Sequence, residues 1–412
     1  MAHGRRMRMS AEKVSVLIVD DNRMDAMLVQ QMLKSLSGQW QTSSACAADA
    51  EQALAELTRR PYDLVLLDYQ LPGASGLDVL KRIRSLPAAH RSAVVMLTAS
   101  GSEAVAVEAM KHGAKDYLRK DLLDPTTLGR AVTTALAQKR LEDQLAAFNA
   151  QRAEDLGMAR ELQRALMPQS FPCFPPAIRP EESALRFWGR YLPTSDLGGD
   201  FFDVIALSDT EAGVLICDVM GHGVRAALVM AMIRAIVEEL RPVLSDPARA
   251  MDGLNAGLLG ILRQTGKPLF ATALYMVVDV RRMEVRYARA GHPEPFLIST
   301  SSQCVSRLPF LPSQSGPALG LFADAAYATA AQPLEPGDTL ILYTDGLAEA
   351  TNAGGFEYGA ERLGELMEQR MGLPCDRIFD DLLADVRRFA GQDAFADDVC
   401  LVGVDVVRRI SS

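Results

Sequence analysis

The sequence predicts an α/β protein that begins with a doubly wound parallel sheet. Between residues 14 and 137, apolar strand-like runs alternate with helix-like runs, the pattern of a parallel sheet with helices on both faces. Each strand-like run leads to a polar or charged residue. In such a sheet these residues would lie at the carboxyl ends of the strands, where ligands bind. A helix-like stretch follows, and then a proline cluster, which ends helices. The predicted parts are a tail over 1–13, a first domain over 14–137, a helical linker over 138–172 and a second domain over 173–409.

Composition narrows the classes of function. The 412 residues are 49% hydrophobic and 23% charged, as in ordinary globular domains. The net charge of -9 argues against a nucleic-acid binder, in spite of Arg5, Arg6 and Arg8 near the start. No segment has the pattern of a signal peptide or a membrane span, and the six widely spaced cysteines indicate reduced thiols, so we expect a cytoplasmic protein. With five histidines in the chain, any metal site is expected to use carboxylates.

Polar side chains stand at the ends of four separate strand-like runs in the first domain. VSVLIVDD ends in Asp20 and Asp21, YDLVLLD ends in Asp68, AVVMLTA contains Thr98, and DYLRK ends in Lys120. Three carboxylates at one sheet edge repel each other, by roughly 4 kcal/mol per pair at about 4 Å and an effective dielectric constant of about 20. A divalent cation relieves that repulsion, and ligation by oxygen alone suits Mg²⁺. The alternative interpretation is a set of unrelated acids that cap the helices after them.

With the cation bound, Asp68 could attack a phosphoryl group as a carboxylate nucleophile. Residues 14–137 resemble the receiver domain of response regulators, which has a flavodoxin-like fold. The resemblance implies that Asp68 is the phosphoacceptor, that Asp20 and Asp21 bind Mg²⁺ with it, and that a sensor histidine kinase or phosphotransfer protein is the partner. The residues that respond to phosphorylation would be Thr98, Tyr117 and Lys120. Asp121 stands where the family usually has proline. In the family the peptide bond before that proline is usually cis, and whether the bond after Lys120 is cis here is left open.

The linker predicts a helix with two apolar stripes. Leu141, Leu145 and Phe148 form the first stripe, and the second consists of Leu156, Ala159, Leu162 and Leu166. Between the stripes, Arg152 and Asp155 take positions where a heptad repeat would place apolar residues, so a strict coiled coil is not indicated. Two interpretations remain: a helix that packs on its own domains, and the seam of a homodimer.

Four acidic motifs characterise the second domain. Each places acids at the edge of an apolar strand: LGGDFFDV with Asp200 and Asp203, VLICDVMGHG with Asp218, LILYTDGLAEATN with Asp345, and FADDVCLVGVDV with Asp397 and Asp398. Each motif alone is weak, since TDG is usually a turn and GGD also occurs in nucleotide cyclases. Together they predict convergent carboxylates without histidine or cysteine, which suit Mg²⁺ or Mn²⁺. Two such ions about 3.5–4 Å apart can activate a water and clamp a phosphoryl group.

Residues 173–409 resemble the bacterial serine phosphatases that regulate sigma factors and are related to the metal-dependent type 2C protein phosphatases. The resemblance rests on GGDFFDV, DVMGHGVRAAL, AGHPEPFL, YTDGLAEA and ADDVCLV. It implies an α-β-β-α sandwich with two Mn²⁺ or Mg²⁺ ions. Asp218 would bridge the ions, the Val219 carbonyl would bind one of them, and Asp200, Asp345 and Asp397 would supply the other ligands. Asp398 is the alternative to Asp397.

Other polar residues near these motifs have two interpretations. His222, four residues after Asp218, is either a general acid or a turn histidine. Asp203 is expected to support a ligand or lie at the surface, and His292 to shape a loop. Arg190 and Arg289 are candidates for attracting phosphate, or else solvated arginines.

The two resemblances imply a two-component response regulator whose receiver controls a metal-dependent protein serine phosphatase. The implied substrate is a phosphorylated anti-sigma factor antagonist. The alternative is a non-catalytic scaffold that binds a partner through a phosphatase-like domain, although a scaffold has no need of four convergent acids. A nucleotide cyclase would leave the TDG and DDV motifs unexplained, and the acidic charge disfavours a DNA-binding output. The sequence does not indicate whether phosphorylation activates or inhibits.

Overall fold

The computed structural model describes residues 12–36, 40–87, 91–99, 103–262, 269–311 and 314–410. Arg5, Arg6 and Arg8, and almost all of the predicted tail over 1–13, lie outside the described residues. The chain divides into two compact units, Met1–Arg152 and Ala153–Ser412.

The first unit is built on a parallel sheet of five strands in the order β2-β1-β3-β6-β7. Its elements are β1 (Glu12–Val19), α1 (Arg23–Ser35), β2 (Trp40–Ala47), α2 (Ala50–Arg59), β3 (Leu64–Asp68), β4 (Gln70–Leu71), β5 (Ala74–Ser75), α3 (Gly76–Arg84), β6 (Ala93–Thr98), α4 (Glu103–Lys111), β7 (Asp116–Arg119) and the first part of α5 (Pro125–Leu166). Helices α1 and α5 contribute to the core on one face of the sheet, and α2 and α3 to the core on the other. The predicted doubly wound parallel sheet is confirmed.

The strand order of this sheet reverses between β1 and β3. Both strands are almost wholly buried along their apolar runs, because helices cover both faces of the sheet. In such sheets a crevice opens beyond the carboxyl ends of the strands at the point of reversal. Asp20 follows β1 and Asp68 ends β3, so the fold places both acids at this crevice.

Helix α5 is one element of 42 residues that contains both the last helix of the first unit and the linker. Leu141, Leu145 and Phe148, the first predicted stripe, are exposed. In the second predicted stripe, Leu162 is 71% exposed, whereas the neighbouring Gln163 is 5% exposed. Gln163 takes the buried position because its amide finds backbone partners in the second unit, as a buried polar group requires.

The second unit contains two antiparallel-dominated sheets with helices on their outer faces. Its further elements are β8 (Leu185–Leu192), β9 (Phe201–Ala206), β10 (Glu211–Val219), α6 (Val224–Glu239), α7 (Pro247–Leu262), β11 (Ala271–Asp279), β12 (Glu284–Ala290), β13 (Phe296–Ser299), β14 (Cys304–Arg307), β15 (Ser315–Gly316), β16 (Ala330–Pro333), β17 (Thr339–Tyr343), α8 (Asp345–Ala348), α9 (Ala360–Gln369), α10 (Cys375–Ala390) and β18 (Val399–Val406).

One sheet has the order β15-β12-β11-β10-β9, with β16 on β12, and the other has the order β14-β13-β17-β18-β8. Side chains from both sheets share one apolar core. Helices α6 and α7 pack on the first sheet, and α9 and α10 pack on the second. The predicted α-β-β-α sandwich is therefore confirmed.

Two further expectations concern cysteines and membranes. Cys217 and Cys400 are buried in strands β10 and β18, and all six cysteines are free. Among the described residues, no helix has the length and apolar character needed to cross a membrane.

Candidate functional site

The first carboxylate cluster lies at the carboxyl edge of the parallel sheet. Asp20 and Asp68 are buried and Asp21 is exposed. One carboxylate oxygen from each lies within 4.8 Å of the others. Burial raises the pKa of Asp20, against the effect of Lys120. This close set of oxygen donors fits Mg²⁺, which binds through one or two carboxylates together with water and phosphate oxygens.

Lys120 joins the acids of this cluster. Its Nζ donates hydrogen bonds to Oδ2 of Asp20 at 2.7 Å, of Asp68 at 2.8 Å and of Asp25 at 3.1 Å. Burial lowers the pKa of Lys120, but these hydrogen bonds outweigh burial and hold it above its ordinary value. Sequence reasoning missed Asp25, because an acid in the first turn of a helix such as α1 is commonplace at the positive end of the helix dipole.

The other predicted receiver residues lie on neighbouring strands. Thr98 ends β6 and is buried, and Tyr117 is half-buried on β7 opposite Met96. Asp121 forms an ion pair with Arg119. Within the described parts of the chain the cis peptide is at Phe174–Pro175, so the bond after Lys120 is trans, as the absence of proline favours.

The second cluster gathers the four predicted acids of the sandwich. Asp200 directly precedes β9, Asp218 lies near the end of β10, Asp345 follows β17 and begins α8, and Asp397 precedes β18. The antiparallel pairs β9–β10 and β17–β18 each bring two of these ends together within one sheet. Hydrogen bonds from Thr344 to Asp200 and from Gly199 to Asp398 join the two sheets at one rim of the sandwich. The structure therefore brings together acids from both sheets.

The charges of these acids act on one another. Burial, and then the charges of Asp345 and Asp397, raise the pKa of Asp218 to about 7. Burial and the neighbouring Asp218 raise the pKa of Asp200, and burial and Asp397 raise that of Asp345. In the described part of the chain, none of the four acids forms a salt bridge within 4.0 Å. Convergent, repelling oxygen donors without a cationic partner fit divalent cations of the Mg²⁺ or Mn²⁺ type.

Hydrogen bonds separate the roles of the adjacent acids Asp397 and Asp398. Buried Asp398 accepts hydrogen bonds at Oδ1 from Thr194 N and Oγ1, at 2.7 and 3.0 Å, and at Oδ2 from Gly199 N at 2.6 Å. Asp397 is exposed and accepts one from Asp398 N at 2.8 Å. Asp398 therefore fixes the backbone of the GGD loop, and Asp397 is the better candidate ligand.

Two glycines allow the backbone to close around this rim. A Cβ at Gly199 would lie 2.6 Å from the Val219 carbonyl oxygen, and a Cβ at Gly346 would lie 2.1 Å from the Asp398 carbonyl oxygen. Both distances are shorter than any real contact, so only glycine fits. The predicted metal-binding carbonyl of Val219 consequently lies beside the GGD loop.

Sequence reasoning missed two buried residues that support Asp200. Thr344 Oγ1 donates to Asp200 Oδ2 at 2.6 Å and accepts from Cys400 N at 2.8 Å. Gln163 of α5 donates from Nε2 to the Gly198 carbonyl at 2.7 Å and accepts at Oε1 from Gly198 N at 3.2 Å. Thr344 was present in the TDG motif, but a lone glutamine in a polar linker gives no sequence signal.

The remaining polar candidates of the second unit differ in burial and in partners. Asp203 is buried against Arg234 of α6, 3.3 Å away. His222 is exposed. His292 is buried with Nδ1 2.8 Å from Thr272 Oγ1, and burial lowers its pKa to about 3, so the ring is neutral.

Both candidate phosphate-attracting arginines form ion pairs. Arg190 pairs with Asp380 at 3.2 Å, and Arg289 pairs with Glu294 at 3.3 Å. The positive charge of each arginine is thus partly offset by a carboxylate of the same domain.

Metal-free protein should lose stability as the pH rises. Since folding raises the pKa of Asp218 from 3.8 to about 7, protonated Asp218 stabilises the fold below pH 3.8, and that stability is lost as pH rises through about 7. Asp218→Asn keeps a neutral side chain at every pH. In EDTA, the melting temperature of Asp218→Asn minus that of the wild type should increase between pH 4 and about pH 7. Above about pH 7 this difference should stay constant. A gap that is the same at pH 4 and pH 8 would contradict the assigned repulsion.

Comparisons with known proteins match each of the two units. The matching family models are the response regulator receiver domain, over residues 16–133, and stage II sporulation protein E (SpoIIE), over residues 208–407. The chain is 24% identical over 252 residues to phosphoserine phosphatase RsbP of Bacillus subtilis, which covers 61% of this chain and 59% of that protein. The chain thus spans less than two thirds of that relative.

Two more comparisons cover the two units separately. The chain is 36% identical over 110 residues to Probable chemotaxis protein CheY of Rhizobium etli, which is 27% of this chain and 83% of that protein. The solved SiaA-PP2C domain of Pseudomonas aeruginosa has a TM-score of 0.53 and 24% identity and covers 65% of this chain and 100% of that chain, which shows a shared fold. The chain therefore belongs to the response regulators: its receiver domain is fused to a domain that matches the SpoIIE family model and has a PP2C-type fold.

Proposed function

We propose that this chain is a response regulator in which phosphorylation of Asp68 controls a metal-dependent protein serine phosphatase. The observation that carries the proposal is the meeting of Asp200, Asp218, Asp345 and Asp397 at one rim of a PP2C-type sandwich. The relative named phosphoserine phosphatase RsbP supports it.

In the receiver, Asp68 would accept the phosphoryl group. Its carboxylate oxygen lies at the mouth of the crevice beside Lys120, whose ammonium would bond a phosphoryl oxygen. Asp20, Asp21 and Asp68 would hold Mg²⁺, which when bound supplies charge neutralisation for the phosphoryl oxygens. Thr98 and Tyr117 would respond to the new group as switch residues.

In the second domain, Asp200, Asp218, Asp345 and Asp397, with the Val219 carbonyl, would hold two Mn²⁺ or Mg²⁺ ions. Such a pair, when bound, supplies a water of lowered pKa and positive charge toward the phosphoryl oxygens. The chain's own contribution is preorganisation. Thr344 fixes the carboxylate of Asp200, and Asp398 and Gln163 fix the loop before it. Exposed His222, in the loop after Asp218, is a candidate for protonating the leaving serine oxygen.

The proposed partners are those that the two family resemblances imply. The substrate would be a phosphoserine protein, an anti-sigma factor antagonist, and the phosphodonor a sensor histidine kinase or phosphotransfer protein. The exposed stripe of Leu141, Leu145 and Phe148 would form the seam of a homodimer. Free cysteines support action in the cytoplasm.

The full chain with Mn²⁺ should release phosphate from a phosphoserine protein. Asp218→Asn should lower the rate by roughly 100-fold or more. Mutation of a residue that only hydrogen-bonds to a metal ligand already lowers metal affinity or activity by about 10–100-fold. Asp209→Asn is the matched control, because Asp209 is an exposed acid in the turn between β9 and β10 and should keep full activity. Equal rates of phosphate release in the two variants, or a folded wild type without turnover, would favour the alternative of a non-catalytic scaffold that binds a partner.

Beryllofluoride with Mg²⁺, which mimics phosphorylated Asp68, should change the rate of phosphate release. Asp68→Asn should keep the basal rate and lose this response, because the carboxylate that binds the mimic is gone. The rate is measured for both proteins with and without beryllofluoride, at one Mn²⁺ concentration. A response that persists in Asp68→Asn would contradict control through the receiver.

A further inference from the structure

All three hydrogens of the Lys120 ammonium are in use. An ammonium has three N–H donors and no acceptor. In Lys120 they point to carboxylates of Asp20, Asp68 and Asp25 at 2.7, 2.8 and 3.1 Å. Any further acceptor must therefore displace one of these three partners or share a hydrogen with it.

Asp25 differs from the other two partners. It stands in the first turn of α1, and its side chain is 39% exposed, against 0% for Asp20 and 8% for Asp68. The close group of oxygens that fits a divalent cation consists of Asp20, Asp21 and Asp68. The contact of Asp25 is thus with the lysine, and its bond is the longest and most solvated of the three.

Phosphorylation of Asp68 would bring new hydrogen-bond acceptors to the Lys120 ammonium. An oxygen of Asp68 forms a bond to phosphorus, and the bond between phosphorus and the donor breaks. Acetyl phosphate breaks a P–O bond and leaves as acetate, whereas a phosphohistidine donor breaks a P–N bond and leaves as imidazole. The product carries about two negative charges and three strong acceptor oxygens. For Lys120 to bond one of them, a present bond must be given up, and the bond to Asp25 is the longest and the most exposed to solvent.

We propose that Asp25 is a positioning residue that restrains phosphorylation of Asp68. It holds the Lys120 ammonium in the arrangement of the unphosphorylated receiver, and its charge opposes the approach of an anionic phosphodonor. The inference rests on the proposed role of Asp68 as phosphoacceptor. Helix capping does not account for Asp25, because Asn22 is the N-cap of α1. Metal ligation does not account for it either, because the close group of oxygens consists of Asp20, Asp21 and Asp68. The inference therefore assigns to Asp25 an effect on the phosphorylation equilibrium.

The test is phosphorylation of the full chain by acetyl phosphate and Mg²⁺, followed by intact mass and by phosphate-affinity gels. Asp25→Asn should be phosphorylated about 3–5-fold faster than the wild type, the scale of a half-exposed ion pair of about 1 kcal/mol or less. Asp121→Asn is the matched control: it removes the same charge from the residue that follows Lys120 in the chain, but the carboxylate of Asp121 pairs with Arg119. It should change the rate less than twofold. Asp68→Asn is the blank.

A second readout is the affinity for beryllofluoride with Mg²⁺, followed by the shift in melting temperature. Asp25→Asn should bind it more tightly, an outcome that loss of a merely structural contact would not produce. An unchanged or slower rate with unchanged or weaker beryllofluoride binding would overturn the inference. So would an equal acceleration in Asp121→Asn, which would indicate general charge only. If the wild type itself takes no phosphoryl group, the proposed role of Asp68 fails, and that failure is visible without any Asp25 variant.

Discussion

Repulsion among carboxylates held at the ends of buried strands is the constraint on which both units depend. A carboxylate at such a place loses hydration, and a second one beside it makes ionisation harder still. The raised pKa values of Asp20, Asp200 and Asp218 record this cost. The fold tolerates the cost because the surrounding strands are fixed by large apolar cores.

The two units meet this constraint by different means. In the receiver, the ammonium of Lys120 offsets part of the negative charge of Asp20 and Asp68. In the sandwich, support comes from neutral donors around the cluster: the hydroxyl of Thr344, the amide of Gln163 and the backbone of the GGD loop bound to Asp398. The acids of the receiver thus have a cationic partner within the fold, whereas no lysine or arginine forms a salt bridge with the four acids of the sandwich in the described part of the chain.

The sequence predicted both sheets and the acids at their ends, because strand-end acids after apolar runs are a local pattern. It did not separate Asp397 from Asp398, since that distinction depends on Thr194 and Gly199, some two hundred positions away in the chain. The burial of Gln163 was not predictable from the sequence for the same reason, because its partner is the distant Gly198. Asp25 was missed because its partner Lys120 is brought to it only by the parallel sheet.

The most direct test of the account is a calorimetric titration of the full chain with Mn²⁺, in an Asp21→Asn background that weakens the receiver site. Metal binding is the claim on which the proposed chemistry of the sandwich depends. The account predicts about two Mn²⁺ per chain, and loss of that binding when Asp218→Asn is added, in a protein whose circular dichroism is unchanged. The same Mn²⁺ stoichiometry and affinity with and without Asp218→Asn would contradict it.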